Sequence, residues 1–305
     1  MNRRIWILGA ADPEMVAIEI LLRKAGEQVA YAQVGGRRVS PGNAYQAEGT
    51  SASVARPVVL VECGGPALDG LEVVARCDHH RPGDPGYGLR PAKFWGASSL
   101  GQVCGLLLRE TYTEWRQGPH EYDEYSRVIR RDLLLVAAAD HCLGAAYRGE
   151  CPGVEPDALM RWRVASRATF QGRPEAEVLA DVERARLMLR IAPALLLNPV
   201  SERPHTHDHD WSSSVCDGCD GCAVDDIFVR DLRRETPIPE LPEAAARDDV
   251  AYISGPLVGP DGKRKYTCSG RPEHVKAFLE TWAEAQGLID LYGDPARGFA
   301  GGYAS

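Results

Sequence analysis

RPVVLVECGGPALDGLEVVARCDHH, residues 56–80, decides how the chain folds. Pro57 to Val61 is an almost wholly apolar run, and Leu71 to Ala75 is a second apolar piece. Runs this short and bounded by turn residues read as strands, and a strand with no polar face must be covered on both sides. Each run leads into ionisable residues: Glu62 after the first, Asp78-His79-His80 after the second.

The same alternation holds upstream. Arg4 to Leu8 (RIWIL) reads as a strand, Gly9 to Glu14 as a turn, Met15 to Lys24 as a helix ended by Gly26, and Glu27 to Val34 as another strand. Continuous apolar strands alternating with helices predict an α/β fold with a parallel sheet. Chemistry in such a sheet sits beyond the carboxyl ends of the strands. Asp12, Glu14, Glu62 and Asp78-His79-His80 all fall there.

Downstream, Ser98 to Thr111 and Tyr122 to Leu143 are expected to be helical, as is Asp157 to Leu197 with a break near Gly172-Arg173-Pro174. Asn198 to Asp226 is polar and reads as a loop. From about Val250 strand-like and turn-like pieces alternate, His274 to Gly287 is an amphipathic helix, and Gly293 to Gly302 reads as a glycine-rich loop. At 305 residues the chain is long enough for two domains. The expected division is a parallel-sheet domain over 1–150, a helical connector with a Cys/His-rich loop over 151–235, and a smaller α/β domain over 236–305.

The composition is that of a globular protein, 44% hydrophobic and 26% charged. A net charge of −8 argues against binding long nucleic acid through its phosphates, which calls for a basic excess. A small substrate or a short strand end fits better. The start of the chain does not read as a signal peptide, and no apolar run approaches the roughly 20 residues that span a bilayer. The expectation is a cytoplasmic protein with no membrane partner and with its nine cysteines reduced. A homodimer is compatible with this reading.

Carboxylates and imidazoles gathered at strand ends suit Mn²⁺, Mg²⁺ or Zn²⁺. Like charges do not gather without a cation or proton to offset them. Any one of these acids alone would read as a loop acid among the 43 in the chain. The consecutive Asp-His-His after an apolar strand is a stronger signal.

Four segments in order, VVLVECGG (58–65), VARCDHHRPGDPG (74–86), GASSLGQV (96–103) and LLLVAAADHCLG (133–144), resemble the motifs of DHH-family phosphoesterases. KYTCSG (265–270), the helix from His274, and YGDPARGFAGG (292–302) resemble the DHH-associated substrate-binding domain. The resemblance implies a DHH catalytic domain over 1–150 and a substrate domain over 236–305. It implies Mn²⁺ or another divalent cation held by Asp12, Glu14, Glu62, His79 and Asp140, with Asp78 orienting and His80 facing a substrate phosphate. Ser98, Ser99, Gly298, Gly301 and Gly302 would bind substrate, a nucleotide or short single-stranded oligonucleotide, and the activity would be hydrolysis of its phosphate ester, as in a nuclease.

The chain departs from that pattern at three places. Leu8 to Ala11 stand where the first motif has a histidine. Glu14 and Glu62 stand where aspartates are expected. Asp294-Pro295-Ala296 replaces the histidine of the C-terminal glycine loop. A binding protein that has lost turnover, or an enzyme of group transfer, are the alternatives these departures raise. His141, beside Asp140, is a candidate to make up for the missing ligand. A second set, His205, His207, His209, Cys216, Cys219 and Cys222, has the two-residue cysteine gaps of a Zn²⁺ site. A polar loop with free thiols explains it as well.

Overall fold

The computed structural model describes residues 4–115, 123–198, 226–258 and 262–304. A first sheet is built around β1 (Ile5–Leu8), fully buried along its length. β2 (Gln28–Val34) lies on one side of it, β5 (Val58–Val61) and then β6 (Val73–Cys77) on the other, all parallel. Two short strands, β3 (Arg37–Arg38) and β4 (Gly49–Thr50), pair antiparallel with β2. The fold is thus α/β, with a largely parallel sheet, as the apolar runs predict.

The pleat divides β1 between two cores. Trp6 and Leu8 point to one face with Val59 and Val61, and there meet Met15, Ile18 and Leu22 of α1 (Pro13–Lys24). That face is completed by Phe94 of α2 (Phe94–Ala97), by Leu100 and Val103 of α3 (Ser99–Trp115), and by Val136 to Ala139 of α4 (Asp123–His141). Ile5, Ile7, Val58 and Leu60 point to the other face. Val39, Ala44 and Ala47 from the irregular chain between β3 and β4, and Leu68 from the connection between β5 and β6, close it. Each large aliphatic or aromatic side chain fully buried here contributes about 1.5–3 kcal/mol of apolar burial.

After α5 (Leu143–Tyr147), the chain runs through α6 (Pro156–Gln171) and α7 (Glu175–Ile191). These are separated where the sequence predicts, at Gly172 with φ +66°. The C-terminal sheet then differs from expectation. β7 (Ala194–Leu196) and β8 (Phe228–Leu232) join it, although both come from the stretch read as connector. Its order is β11-β12-β10-β9-β8-β7, with β9 (Tyr252–Val258), β10 (Arg264–Ser269), β11 (Ile289–Asp294) and β12 (Phe299–Ala304). The glycine-rich segment is therefore mostly a hairpin, and only Pro295 to Gly298 turn the chain.

Helix α8 (Leu241–Asp248) packs Leu241, Ala244 and Ala245 on Val182, Ala185 and Leu189 of α7. α9 (Pro272–Ala277) runs on in a wider turn through Phe278–Trp282 to Ala285 and covers the second sheet with Val275, Phe278 and Trp282. Among the described residues no helix is long and apolar enough to cross a membrane.

One close approach ties the fold to the strand ends. Gly9, just past β1, lies against the peptide of Glu62, just past β5; a Cβ there would meet the Glu62 carbonyl oxygen and carbon. Glu62 itself has φ +48°, a left-handed conformation costly for a side chain of this kind. Gly9→Ala is expected to lower the stability by about 1–3 kcal/mol, the cost of overpacking a fitted site. Gly49→Ala, where a Cβ meets open space, serves as the control in the same urea titration.

Candidate metal and phosphate site

Two strand ends and two helix ends converge. Glu14 comes from the first turn of α1, Glu62 from the end of β5, Asp78 to His80 from the end of β6, and Asp140 and His141 from the last turn of α4. One ligating atom each of Glu14, Glu62, His79 and Asp140 lies within 4.8 Å of all the others. Glu62, His79 and His80 form an overlapping group by the same measure. The structure thus brings together four of the five residues expected to hold metal.

The atoms that meet there lack partners. Glu14 Oε2, Glu62 Oε1, His79 Nε2 and Asp140 Oδ2 are buried without a hydrogen bond. His79 Nε2 stands 3.1 Å from Asp140 Oδ2 and 3.6 Å from Glu62 Oε1. The shorter contact is within ion-pair distance when His79 carries a proton. Buried polar groups are nearly always paired, and four such atoms around one point are an arrangement that a bound cation would satisfy. Three carboxylates and one imidazole suit a hard divalent cation. The residues fit the group.

Asp12, the fifth expected ligand, is placed differently. It is the N-cap of α1, and its Oδ1 accepts from Met15 N–H at 2.7 Å. It sits at the rim, close enough to feel the others: burial, with Glu62 and Asp140, pushes its pKa up to about 8. Burial, with Asp140, Glu62 and Asp12, carries Glu14 well above the usual carboxylate range. This happens although Glu14 Oε1 accepts the Leu100 N–H at 3.0 Å, at the start of α3. Burial also works against Asp140, but His79 and Arg297 outweigh it and hold that carboxyl below its ordinary value.

Asp78 is fully buried and points away from this group. Its Oδ1 accepts from the backbone N–H of His79 at 2.8 Å and from His80 N–H at 3.2 Å. His80 Nδ1 lies 3.0 Å from the same oxygen, and Tyr45 Oη lies 2.9 Å from both carboxylate oxygens. Burial favours a neutral Asp78, but His80 and Tyr45 prevail and keep its pKa low. Burial lowers the His80 pKa, yet Asp78 and Glu62 more than offset this and raise it. Gln102 of α3 clamps the Asp78 peptide, accepting its N–H at 3.1 Å and donating to its carbonyl at 3.0 Å.

His141 is buried behind His79. Its Nδ1 is 3.2 Å from His79 Nδ1, and its Nε2 is 3.5 Å from the Leu89 carbonyl. Burial, with His79 and Arg297, lowers its pKa to about 3. It therefore backs a ligand and is not brought into the ligand group itself. Tyr45 and Gln102 gave no signal as single residues. Each returns to the site from a distant part of the chain.

The second domain closes on the first at this point. Arg297 donates to the carbonyls of Asp140 and His141, both at 3.2 Å, and lies 3.7 Å from Asp140 Oδ2. Asp294, which stands where a histidine was expected, accepts from Gly88 N–H and Ala296 N–H. Tyr87 Oη donates to Gly293 O. A cleft of about 370 Å³ lies between the domains, lined by Asp140, His141, Arg148, Asp249, Gly270 and Arg297 among others.

Of the expected substrate residues, Gly298 lines this cleft. Gly301 and Gly302 lie within β12, where Tyr292 and Leu291 cover them. Ser98 Oγ is used locally, donating to Trp95 O and accepting from Gly101 N–H, whereas Ser99 Oγ is buried without a partner. The set His205, His207, His209, Cys216, Cys219 and Cys222 lies outside the described residues.

No family profile matches the sequence, and no curated protein matches it. Among solved structures, the pGpG-specific phosphodiesterase PggH from Vibrio cholerae aligns over 99% of this chain and 93% of that one. The identity is 11% and the TM-score 0.33, too low to carry the reading of the site, which stands on its own residues.

The crowded carboxylates set a pH dependence in protein freed of divalent ions. Asp12 has a folded pKa of about 8 against an ordinary 3.8, so between those values the folded state holds more protons than the unfolded one. Its contribution therefore falls as pH rises from about 4 to about 8. Asp12→Asn keeps the helix cap and removes this contribution. The variant is expected to gain on wild type steadily through that window, by about 1–3 kcal/mol at pH 8 after allowance for partial exposure. Urea unfolding at pH 4, 6 and 8 checks this, and parallel stability curves would contradict it.

Proposed function

We propose that the chain is a divalent-metal-dependent phosphoesterase acting on a nucleotide or the end of a short single-stranded oligonucleotide. The observation that carries the reading is the convergence of four partnerless buried atoms, Glu14 Oε2, Glu62 Oε1, His79 Nε2 and Asp140 Oδ2. These residues would hold the cation, Mn²⁺ or a similar hard ion. When bound, it supplies Lewis-acid polarisation and charge neutralisation at a phosphoryl group.

The chain's own residues supply the rest. Asp78 accepts the proton on His80 Nδ1, which leaves Nε2 as the ring nitrogen that faces a substrate. Held in this way, and protonated at both nitrogens as Asp78 and Glu62 favour, His80 would donate its Nε2–H to a phosphoryl oxygen as charge develops on it. Tyr45 and Gln102 fix Asp78 from two sides, so the imidazole is oriented before substrate arrives. Arg297 brings a guanidinium to the junction of site and cleft. The cleft volume falls in the range of about 300–1,000 Å³ typical of small-ligand sites, in keeping with a nucleotide.

A second reading is nucleotide binding without turnover. Asp12 has an oxygen committed to the α1 cap, and no histidine precedes it in the turn after β1. Both leave the chain with fewer groups for a second cation than a two-metal mechanism needs.

The two readings part on turnover. Under the first, the purified chain binds about one Mn²⁺ tightly and hydrolyses a dinucleotide or bis-p-nitrophenyl phosphate. Asp140→Ala is expected to lose both metal and hydrolysis, whereas His80→Ala keeps the metal and loses about 10²–10³-fold in kcat, as when a transition-state donor is removed. Metal binding with no hydrolysis of any phosphoester in wild type would favour the second reading. Retained hydrolysis in Asp140→Ala would overturn the first.

A further inference from the structure

The second sheet has two unlike faces. Alternation along the strands puts Tyr266, Cys268 and Ala300 on one of them, where Val275, Phe278 and Trp282 cover them. The opposite face is covered over β8 and β9, where Leu232 and Tyr252 meet α7 and α8. Farther along, that same face carries Lys265 of β10, Tyr292 of β11, and Phe299 and Tyr303 of β12, as the pairing register places them.

These side chains form one continuous surface. The ring centroids of Tyr292 and Phe299 are 5.8 Å apart, and those of Tyr292 and Tyr303 6.1 Å apart. Tyr292 reaches across to Gly301, where a Cβ would strike its hydroxyl and ring. Lys265 stands over the Tyr292 ring, with Nζ 5.4 Å from its centroid.

Phe299 is the ring that faces outward. It is 39% exposed, and with Arg297 it lines the interdomain cleft. A single exposed phenylalanine needs no explanation. Three rings in contact, one of them under a cation, leading out from the wall of a cleft that also holds an arginine, do need one. A purely apolar partner would gain nothing from Arg297 and Lys265, and a bare phosphate would gain nothing from the rings. A flat aromatic group joined to a phosphate uses both. Sheets that present aromatic side chains beside cations bind unpaired bases in this way.

We propose that Phe299, backed by Tyr292, is a stacking platform for a nucleobase of the substrate, with the attached phosphates running from the cleft past Arg297 toward Lys265. The identity of the ligand rests on the phosphoesterase reading of the site and sharpens it: the substrate carries a nucleobase and is not a phosphate ester of an arbitrary alcohol. Because every base has a π face, the platform accepts all of them and sets no strong sequence preference.

The test is calorimetric binding of two short strands to the full chain with Mn²⁺ present. One is a phosphorothioate-linked tetrathymidylate, which resists hydrolysis. The other is its abasic counterpart, with the same charges and no rings. Wild type is expected to bind the strand with bases about 10- to 100-fold more tightly, the worth of one stacked base. Phe299→Ala and Phe299→Leu are expected to remove most of this preference, the second because it keeps apolar bulk but no ring. Phe299→Trp is expected to keep it.

Equal affinity of wild type for the two strands, or binding of neither, would overturn the inference. So would a preference that survives in Phe299→Leu. The comparison on wild type needs no variant and decides even if a substitution disturbs the fold. Binding does not depend on turnover, so the two readings fail separately. Base preference in a wild type that hydrolyses neither a dinucleotide nor bis-p-nitrophenyl phosphate would count against the phosphoesterase reading alone. Hydrolysis without base preference would count against the stacking platform alone.

Discussion

Three carboxylates, Glu14, Glu62 and Asp140, meet one imidazole at the carboxyl ends of β1, β5 and β6, and neighbouring oxygens that are not hydrogen-bonded repel. Much of the surrounding structure is devoted to holding them there. Glu62 is held in a left-handed backbone conformation over Gly9, where no side chain fits. Glu14 is tied to the first turn of α3, whose backbone N–H groups favour a negative partner. Asp140 is kept charged by His79 and by Arg297 from the other domain. Left alone, such a group takes up protons, as the raised pKa values of Asp12 and Glu14 record. Given a cation, it does not need to.

The two histidines after Asp78 are adjacent in sequence and divided in role by the backbone. His79 turns into the carboxylate group and is fully buried, while His80 turns back on Asp78 and keeps a partly exposed ring. Their rings still lie only 4.6 Å apart. One short segment thus serves both the ligand group and the side from which a substrate would approach. The interdomain cleft opens beside it at Asp140 and His141.

The parallel sheet and the location of the site were legible because Trp6 to Leu8, Val58 to Val61 and the run before Asp78 are apolar without interruption, and because strand ends in such sheets collect functional residues. Other features were not legible, for identifiable reasons. Asp12 before Pro13 and Glu14 reads equally as a ligand and as a helix cap, and only the fold shows one oxygen spent on Met15. Tyr45, Gln102 and Arg297 reach the site by tertiary return over 33, 24 and 157 residues, which no local pattern encodes. The glycines of the last hairpin suggested a loop because glycine weakens strands; here Tyr292 and Leu291 lie over Gly301 and Gly302, and the absence of side chains is what lets them pack. β7 was hidden by following the apolar end of α7 directly, with Leu195 to Leu197 reading as more helix.

The central claim is that Glu14, Glu62, His79 and Asp140 share one divalent cation. A crystal structure of the full chain grown with Mn²⁺ and measured at an energy where manganese scatters anomalously tests it most directly. The account predicts an anomalous peak about 2.0–2.3 Å from an oxygen of each carboxylate and from His79 Nε2, distances typical of hard divalent ions with oxygen and imidazole ligands. A fully occupied peak elsewhere, with these four atoms bridged by water or by protons, would contradict it.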